Sequence, residues 1–153
     1  MRKDSLLIFL LLSLILIFVG CGREDGEDKN DTSTSITLNK QLISVDKSTT
    51  VGCIHIISGN GGYSIVLPKK ISVGNKQIDF SNEILALSID SASNIVAERK
   101  LLNDEMVSGE FMVTDCKGER ELFVVNTLDV GGYLYDFDEL EKHLLDNPDY
   151  WQK

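Results

Sequence analysis

The sequence predicts an all-β domain, a sandwich or barrel, over residues 36–127, with one short amphipathic helix behind it. Three observations carry this expectation. Short apolar, β-branched runs recur at roughly 8–12-residue spacing with turn residues between them. No helical period competes with them. Beyond residue 127 the pattern changes, and Phe137, Leu140 and Leu144 fall on one helical stripe.

The elements follow in order. Ile36-Thr37-Leu38 and Leu42-Ile43-Ser44-Val45 are β-rich fragments broken by polar residues. Thr50 to Ser58 alternates, with Ile54 and Ile56 on one face and Cys53, His55 and Ile57 on the other. Ser58-Gly59-Asn60-Gly61-Gly62 is a turn cluster whose glycines supply positive φ. Tyr63 to Leu67 resumes a strand, and Pro68 ends it because proline cannot donate to a ladder. Ile84 to Ile89 and Asn94 to Arg99 are further strands. The clearest hairpin joins Glu110–Thr114 to Leu122–Val125 through Asp115-Cys116-Lys117-Gly118, with Asp first and Gly last as a type I turn prefers. From Asp136 to Leu145, early acids favour a helix N-terminus and Asn147-Pro148 stops the helix.

The chain begins differently. Arg2 and Lys3 precede an apolar run from Leu6 to Val19, broken only by Ser13, and Gly20-Cys21 closes it. At ~1.5 Å per residue that run is roughly 20 Å long as a helix, short of the ~30 Å hydrocarbon core. A basic opening, a short apolar stretch and a small residue at the cut describe a secretory signal. The segment resembles the bacterial lipoprotein signal, in which a small residue precedes an obligatory Cys; Phe18 stands where that signal usually has Leu. The resemblance implies cleavage after Gly20, diacylglycerol on the Cys21 thiol and an acyl chain (palmitate or similar) on the new amine. Residues 21–35, charged and without apolar side chains after Cys21, read as a flexible acidic tether. Their acids also resemble the surface-export signal of some Gram-negative lipoproteins, and plain solvating charge explains them equally well.

Ser58-Gly59-Asn60-Gly61-Gly62-Tyr63 after an Ile-rich strand, the Ile84-Leu85-Ala86-Leu87-Ser88 segment, and Ser108 to Asp115 followed by Gly118 together resemble the bacterial immunoglobulin-like domains, group 2 and its relatives. The likeness covers residues 36–127. Residues 75–81 and 100–107 are longer than that family's connections, and the extension 128–153 lies outside its pattern. The resemblance implies an immunoglobulin-like β-sandwich that spaces, presents or binds outside the cytoplasm, without catalytic residues to carry over. It also bears on the cysteines. Cys53 would lie about five residues, roughly 17 Å, along the strand from the Gly59 turn, which shares an end with Cys116. A bridge needs Cα atoms within ~7 Å, so Cys53–Cys116 is the candidate disulfide and the expectation is against it.

Composition narrows the function classes. The chain has 153 residues and a net charge of −9, and removing Arg2, Lys3 and Asp4 with the leader makes it more negative. Nucleic acid and anionic bilayers are held through Lys and Arg, so neither is an expected partner of the protein surface; membrane contact comes from the lipid. No nucleophile elbow, phosphate loop or metal-ligand spacing is present, and the expectation is a protein without catalysis, cofactor or metal. Tyr63, Tyr133, Tyr135 and Trp151 are the candidate ligand contacts, since exposed aromatics stack on sugars and anchor proteins; Tyr63 also reads as a core or corner tyrosine. The expected role is a lipid-anchored outer-membrane, cell-surface or periplasm-facing module that binds an envelope protein, an extracellular protein or a glycan. The alternative is a periplasmic inhibitor whose protruding loop, residues 100–107, plugs a hydrolase.

Overall fold

The computed structural model describes residues 32–127 and 136–153. The expected leader, most of the tether, Cys21, Tyr133 and Tyr135 lie outside the described residues. The described residues form two β-sheets enclosing one core, the all-β sandwich the sequence predicts.

The first sheet has the order β1–β3–β8–β7, with β1 at Thr37–Leu38, β3 at Val51–Ser58, β8 at Asn94–Arg99 and β7 at Leu85–Ile89. The second runs β2–β10–β9–β5–β6, from β2 (Leu42–Ser44) through β10 (Arg120–Asn126) and β9 (Val107–Thr114) to β5 (Lys70–Val73) and β6 (Lys76–Asp79). A short β4 (Ser64–Val66) also pairs with β9, sharing that strand's edge with β5. All neighbours are antiparallel except β2 and β10.

Alternation decides which residues meet in the middle. Ile54 and Ile56 of β3, Ile95 and Ala97 of β8, and Leu85 of β7 face Phe111, Val113, Phe123 and Val125 of the second sheet. Phe111 stacks on Phe123 at 5.6 Å between centroids and takes the Phe80 ring edge-on at 5.9 Å. Gly52 permits the close approach of β2, since a Cβ there would lie 2.5 Å from Ile43 Cγ2.

The second sheet is buried on both faces along β9 and β10, which is why these strands read as near-continuous apolar runs. Its outer face carries Met112 and Leu122, and the C-terminal segment covers them. That segment contains the expected helix, α1 (Phe137–Leu144), capped by the Asp136 carboxylate accepting from Glu139 N. The chain then returns to bridge Trp151 to Pro68.

Two expectations need revision. Residues 75–81, read as a long connection beyond the strand end at Pro68, belong in part to a β5–β6 hairpin over Lys70–Asp79, with Val73 opposite Lys76 across the two-residue turn Gly74-Asn75. Gly74 adopts φ 56°, as the first position of a type II′ turn requires. The tether, expected to run to Ser35, is already bonded to the domain before that point. Thr34 N donates to Asn60 Oδ1 at 3.0 Å, Asn60 Nδ2 returns a bond to Thr34 O at 2.8 Å, and Ser58 Oγ donates to Ser35 O.

Candidate functional site

The aromatic candidates do not assemble. Trp151 is only 6% exposed, its ring packed with Met112 and Leu122 and its Nε1 donating to Leu144 O at 2.8 Å. The expectation of an exposed contact there is corrected: two residues from the chain's end, the indole is a structural plug on the outer sheet face. Tyr150 stacks edge-on to it and donates to Glu110 Oε2 at 2.6 Å. Burial and the Glu110 carboxylate push the Tyr150 phenol well above its ordinary pKa, so it remains a donor. Tyr63 is half-buried against the core, its ring and hydroxyl 2.8 Å from where a Gly59 Cβ would stand.

The cysteines are likewise apart. Cys53 is exposed on the outer face of β3, whereas Cys116 sits in the β9–β10 turn and donates to Asn60 O. The two thiols are not joined, because one points off a sheet face in mid-strand and the other lies at the sandwich end. His55 is exposed and contacts Asn94 Oδ1 at 3.0 Å, and His143 lies 4.0 Å from Glu139 on α1. Among the described residues, no His, Cys, Asp and Glu side chains gather into a metal-ligating group. A groove of about 450 Å³ between α1 and β9 is lined by Glu110, Asp136, Glu139, Leu140, His143 and Tyr150. Its tyrosine is committed to Glu110 and its histidine stands beside Glu139, two separate pairs.

The sandwich ends carry the more organised chemistry. At the end where the described chain enters, Asp115 is buried and its carboxylate accepts from Asn60 N (2.9 Å), Asn60 Nδ2 (2.7 Å), Lys117 N (2.9 Å) and Glu119 N (3.0 Å). Burial alone would raise its pKa; these donors outweigh burial and hold the group below its ordinary value. Cys116 N donates to Gly61 O, so the two turns and the incoming chain form one knot.

The opposite end is built on Arg99, which the sequence reading passed over. Arg99 follows Ile95 and Ala97 on the inward parity of β8 and is only 2% exposed. Its Nε donates to Leu101 O (2.6 Å), Nη2 to Asn103 O and Glu105 O (both 2.8 Å), and Nη1 to Thr127 Oγ1 (2.7 Å). Among the described residues no carboxylate lies within ion-pair distance of it. A buried guanidinium costs several kcal/mol of desolvation unless its donors are used, and here loop carbonyls use them. With alternate carbonyls drawn inward, Leu102 and Met106 turn outward, 68% and 45% exposed. Met106 O accepts from Gly74 N at 2.7 Å and Asp104 pairs with Lys47, which ties the loop to both neighbouring turns. Residues 100–106 are thus an irregular loop held at its base by one side chain, displaying two large apolar groups.

Comparisons with protein-family models, with curated proteins and with solved structures found no match.

Proposed function

We propose that the chain is a lipid-anchored, non-catalytic envelope protein whose immunoglobulin-like sandwich binds a protein partner through the loop at residues 100–106. The observation that carries the reading is the Arg99 clamp. Ordering a flexible loop at the moment of binding costs ~0.5–1.5 kcal/mol for each immobilised side chain. A loop whose carbonyls are already fixed by a buried guanidinium has met much of that cost on folding. Leu102 and Met106 supply the exposed apolar contact that an interface core uses. A glycan site is less well supported, because Trp151 and Tyr150 are committed to the fold and Tyr63 packs on the core.

The immunoglobulin-like assignment draws support from topology. The sheets β1–β3–β8–β7 and β2–β10–β9–β5–β6 correspond to the orders A–B–E–D and A′–G–F–C–C′ of that fold. The lipid anchor rests on Leu6 to Cys21. In this reading the tether joins the domain beside Asn60 and Asp115, and the Arg99 loop occupies the other end. The alternative, a periplasmic inhibitor, draws on the same loop, since a pre-ordered protrusion suits an enzyme cleft. A photo-crosslinking amino acid placed at Leu102 in intact cells tests both. A discrete protein adduct, absent when the probe is at Gln77, supports the binding reading, and a hydrolase in that adduct selects the inhibitor. Equal labelling from both positions sinks it. Mass spectrometry that finds the Cys21 sulfur unmodified removes the anchor.

A further inference from the structure

Strand edges expose unpaired amides and carbonyls, and folded domains usually blunt them with charge, brevity or bulges. Three edges here are blunted. β1 has two residues and a register shift, β2 has three, and β6 carries Lys76, Gln77 and Asp79. β7 is different. It pairs with β8 in unbroken register over Leu85–Ile89, contains no charged residue, proline or glycine, and has no strand on its other side among the described residues.

The ladder shows which groups face outward. Lys100 N donates to Ile84 O and Asp90 N to Asn94 O, so the even-numbered positions of β7 bond to β8. Alternation then turns the backbone groups of Leu87 and Ile89, and the carbonyl of Leu85, toward the open edge. The same odd positions point their side chains inward. Leu87 and Ile89 are only partly buried against the core, so the sandwich is incompletely covered along this flank. Ala86 and Ser88 face the solvent side.

We propose that β7 pairs antiparallel with β7 of a second copy of this chain, about a two-fold axis at Leu87, joining two four-stranded sheets into one. The strand is self-complementary in that register. Leu87 meets Leu87 and exchanges both backbone bonds with its mate. Leu85 meets Ile89, whose amide donates to the Leu85 carbonyl, while Leu85 N remains on Ser81 O. The inward row of the joined sheet is then wholly apolar, and the outward row pairs Ala86 with Ser88, two small side chains that do not collide. Like charges directly opposite would oppose such a pair, and β7 has none. A two-fold contact of one surface with itself is the commonest form of protein self-association. The inference rests on the β7 edge and not on the side chains of the Arg99 loop, whose base is joined to the chain just before β7 through Lys100 N and Leu101 N on Ile84 O.

The test uses the full-length chain in intact cells, with Cys53→Ser and Cys116→Ser to remove competing thiols. In that background Ala86→Cys and Ser88→Cys together place thiols opposite one another across the axis, in a non-hydrogen-bonded pair where the Cα atoms lie ~4.5 Å apart. Copper phenanthroline in air supplies the oxidant. The expected result is a reducible species at twice the monomer mass, absent when the cysteines are at Gln77 and Asp79 on the β6 edge. A reducible band of any other mass, no band, or equal bands from both edges overturns the proposal. A second measurement needs no cysteine. In the double variant Ala86→Lys/Ser88→Lys, the ammonium introduced at position 86 lies beside Glu98 of its own chain. Across the axis it meets the ammonium at position 88 of the mate, a like-charge pair. The wild-type chain in detergent is expected at twice the monomer mass and the double variant at the monomer mass, with thermal unfolding of the variant retained. A wild-type chain found only as monomer also overturns it.

Discussion

Replacing Arg99 with Met keeps the aliphatic stem and removes the charge, so it isolates what the guanidinium does at the loop base. Four acceptors lose their donor: the carbonyls of Leu101, Asn103 and Glu105, and Thr127 Oγ1. The hydroxyl is the least affected, because Thr127 Oγ1 still accepts from Val107 N at 2.7 Å and donates to Val107 O. A hydrogen bond to a charged group contributes ~1.5–3 kcal/mol net, and the loop carbonyls recover part of that by turning to water. Losing the costly desolvation of the guanidinium offsets a further share. The balance is a loss of about 2–4 kcal/mol, or roughly 8–16 °C in Tm for a domain of this size. Urea titration should show a lower midpoint at an unchanged slope, and hydrogen exchange should rise across residues 100–107 before it rises in β9 or β10. Arg99→Lys should fall between, since one ammonium cannot span three carbonyls. A midpoint within about 0.5 kcal/mol of wild type, with loop exchange unchanged, refutes the clamp and with it the pre-ordered loop.

Trp151→Ala removes the indole from Met112 and Leu122 together with its bond to Leu144 O, and should cost ~3–5 kcal/mol in thermal or urea unfolding. A loss under about 1 kcal/mol would mean the C-terminal segment is an ornament on the sheet. Gly52→Ala drives a methyl to 2.5 Å from Ile43 Cγ2 and 3.0 Å from Ser44 O, and should destabilise by ~1–3 kcal/mol, whereas Gly61→Ala meets nothing within 4 Å and differs only through its φ of 77°. Asp115 has its pKa lowered in the folded state, so its contribution is complete above the ordinary carboxylate range and fades as pH falls through the folded value. Exchange at Asn60, Lys117 and Glu119 amides should therefore rise in acid, and Asp115→Asn should flatten that dependence; a parallel pH profile in the variant counts against it.

Much of the fold was legible in residue pattern. Every strand named from alternation exists, its ends within three residues of those expected, and Phe137–Leu144 is helical within the expected span of Asp136 to Leu145. The β5–β6 hairpin was missed because Pro68 and two lysines obscured a four-residue strand, although Gly74-Asn75 carried a hairpin signal. The outer cover of the second sheet was legible in principle: Leu122-Phe123-Val124-Val125 is apolar at every position, which a sheet with one wet face does not tolerate. Trp151 was the residue to fill that face, but an aromatic outside the strand pattern read as an exposed contact. Arg99 was readable by parity alone, two positions beyond Ala97 on the inward row. What parity cannot supply is the partner, since the carbonyls it holds belong to an irregular loop without a sequence pattern. The Asn60–Asp115 bond was invisible for a related reason: both residues favour turns for local reasons, and nothing local shows that the two turns meet.

The two ends of the sandwich are closed by opposite chemistry, and this bears on which surface is free to bind. At the Asn60 end a carboxylate collects amides, committing the polar groups of both turns to one another and to the incoming chain. At the Arg99 end a guanidinium collects carbonyls, and a loop whose carbonyls are held inside presents its side chains outside. The second sheet offers little where α1 and Trp151 cover its outer face. Among the described residues the first sheet has no such cover, and Val51 and Ile57 on its outer face are more than half exposed. Recognition through backbone is then open at β7 and recognition through apolar side chains at Leu102 and Met106, surfaces that a single carboxylate-to-amide knot at the far end leaves untouched. If the Arg99 clamp orders the loop, Arg99→Met should abolish the Leu102 adduct while the β7 cross-link persists; loss of both together would mean that one disrupted fold, rather than two separate surfaces, explains the binding.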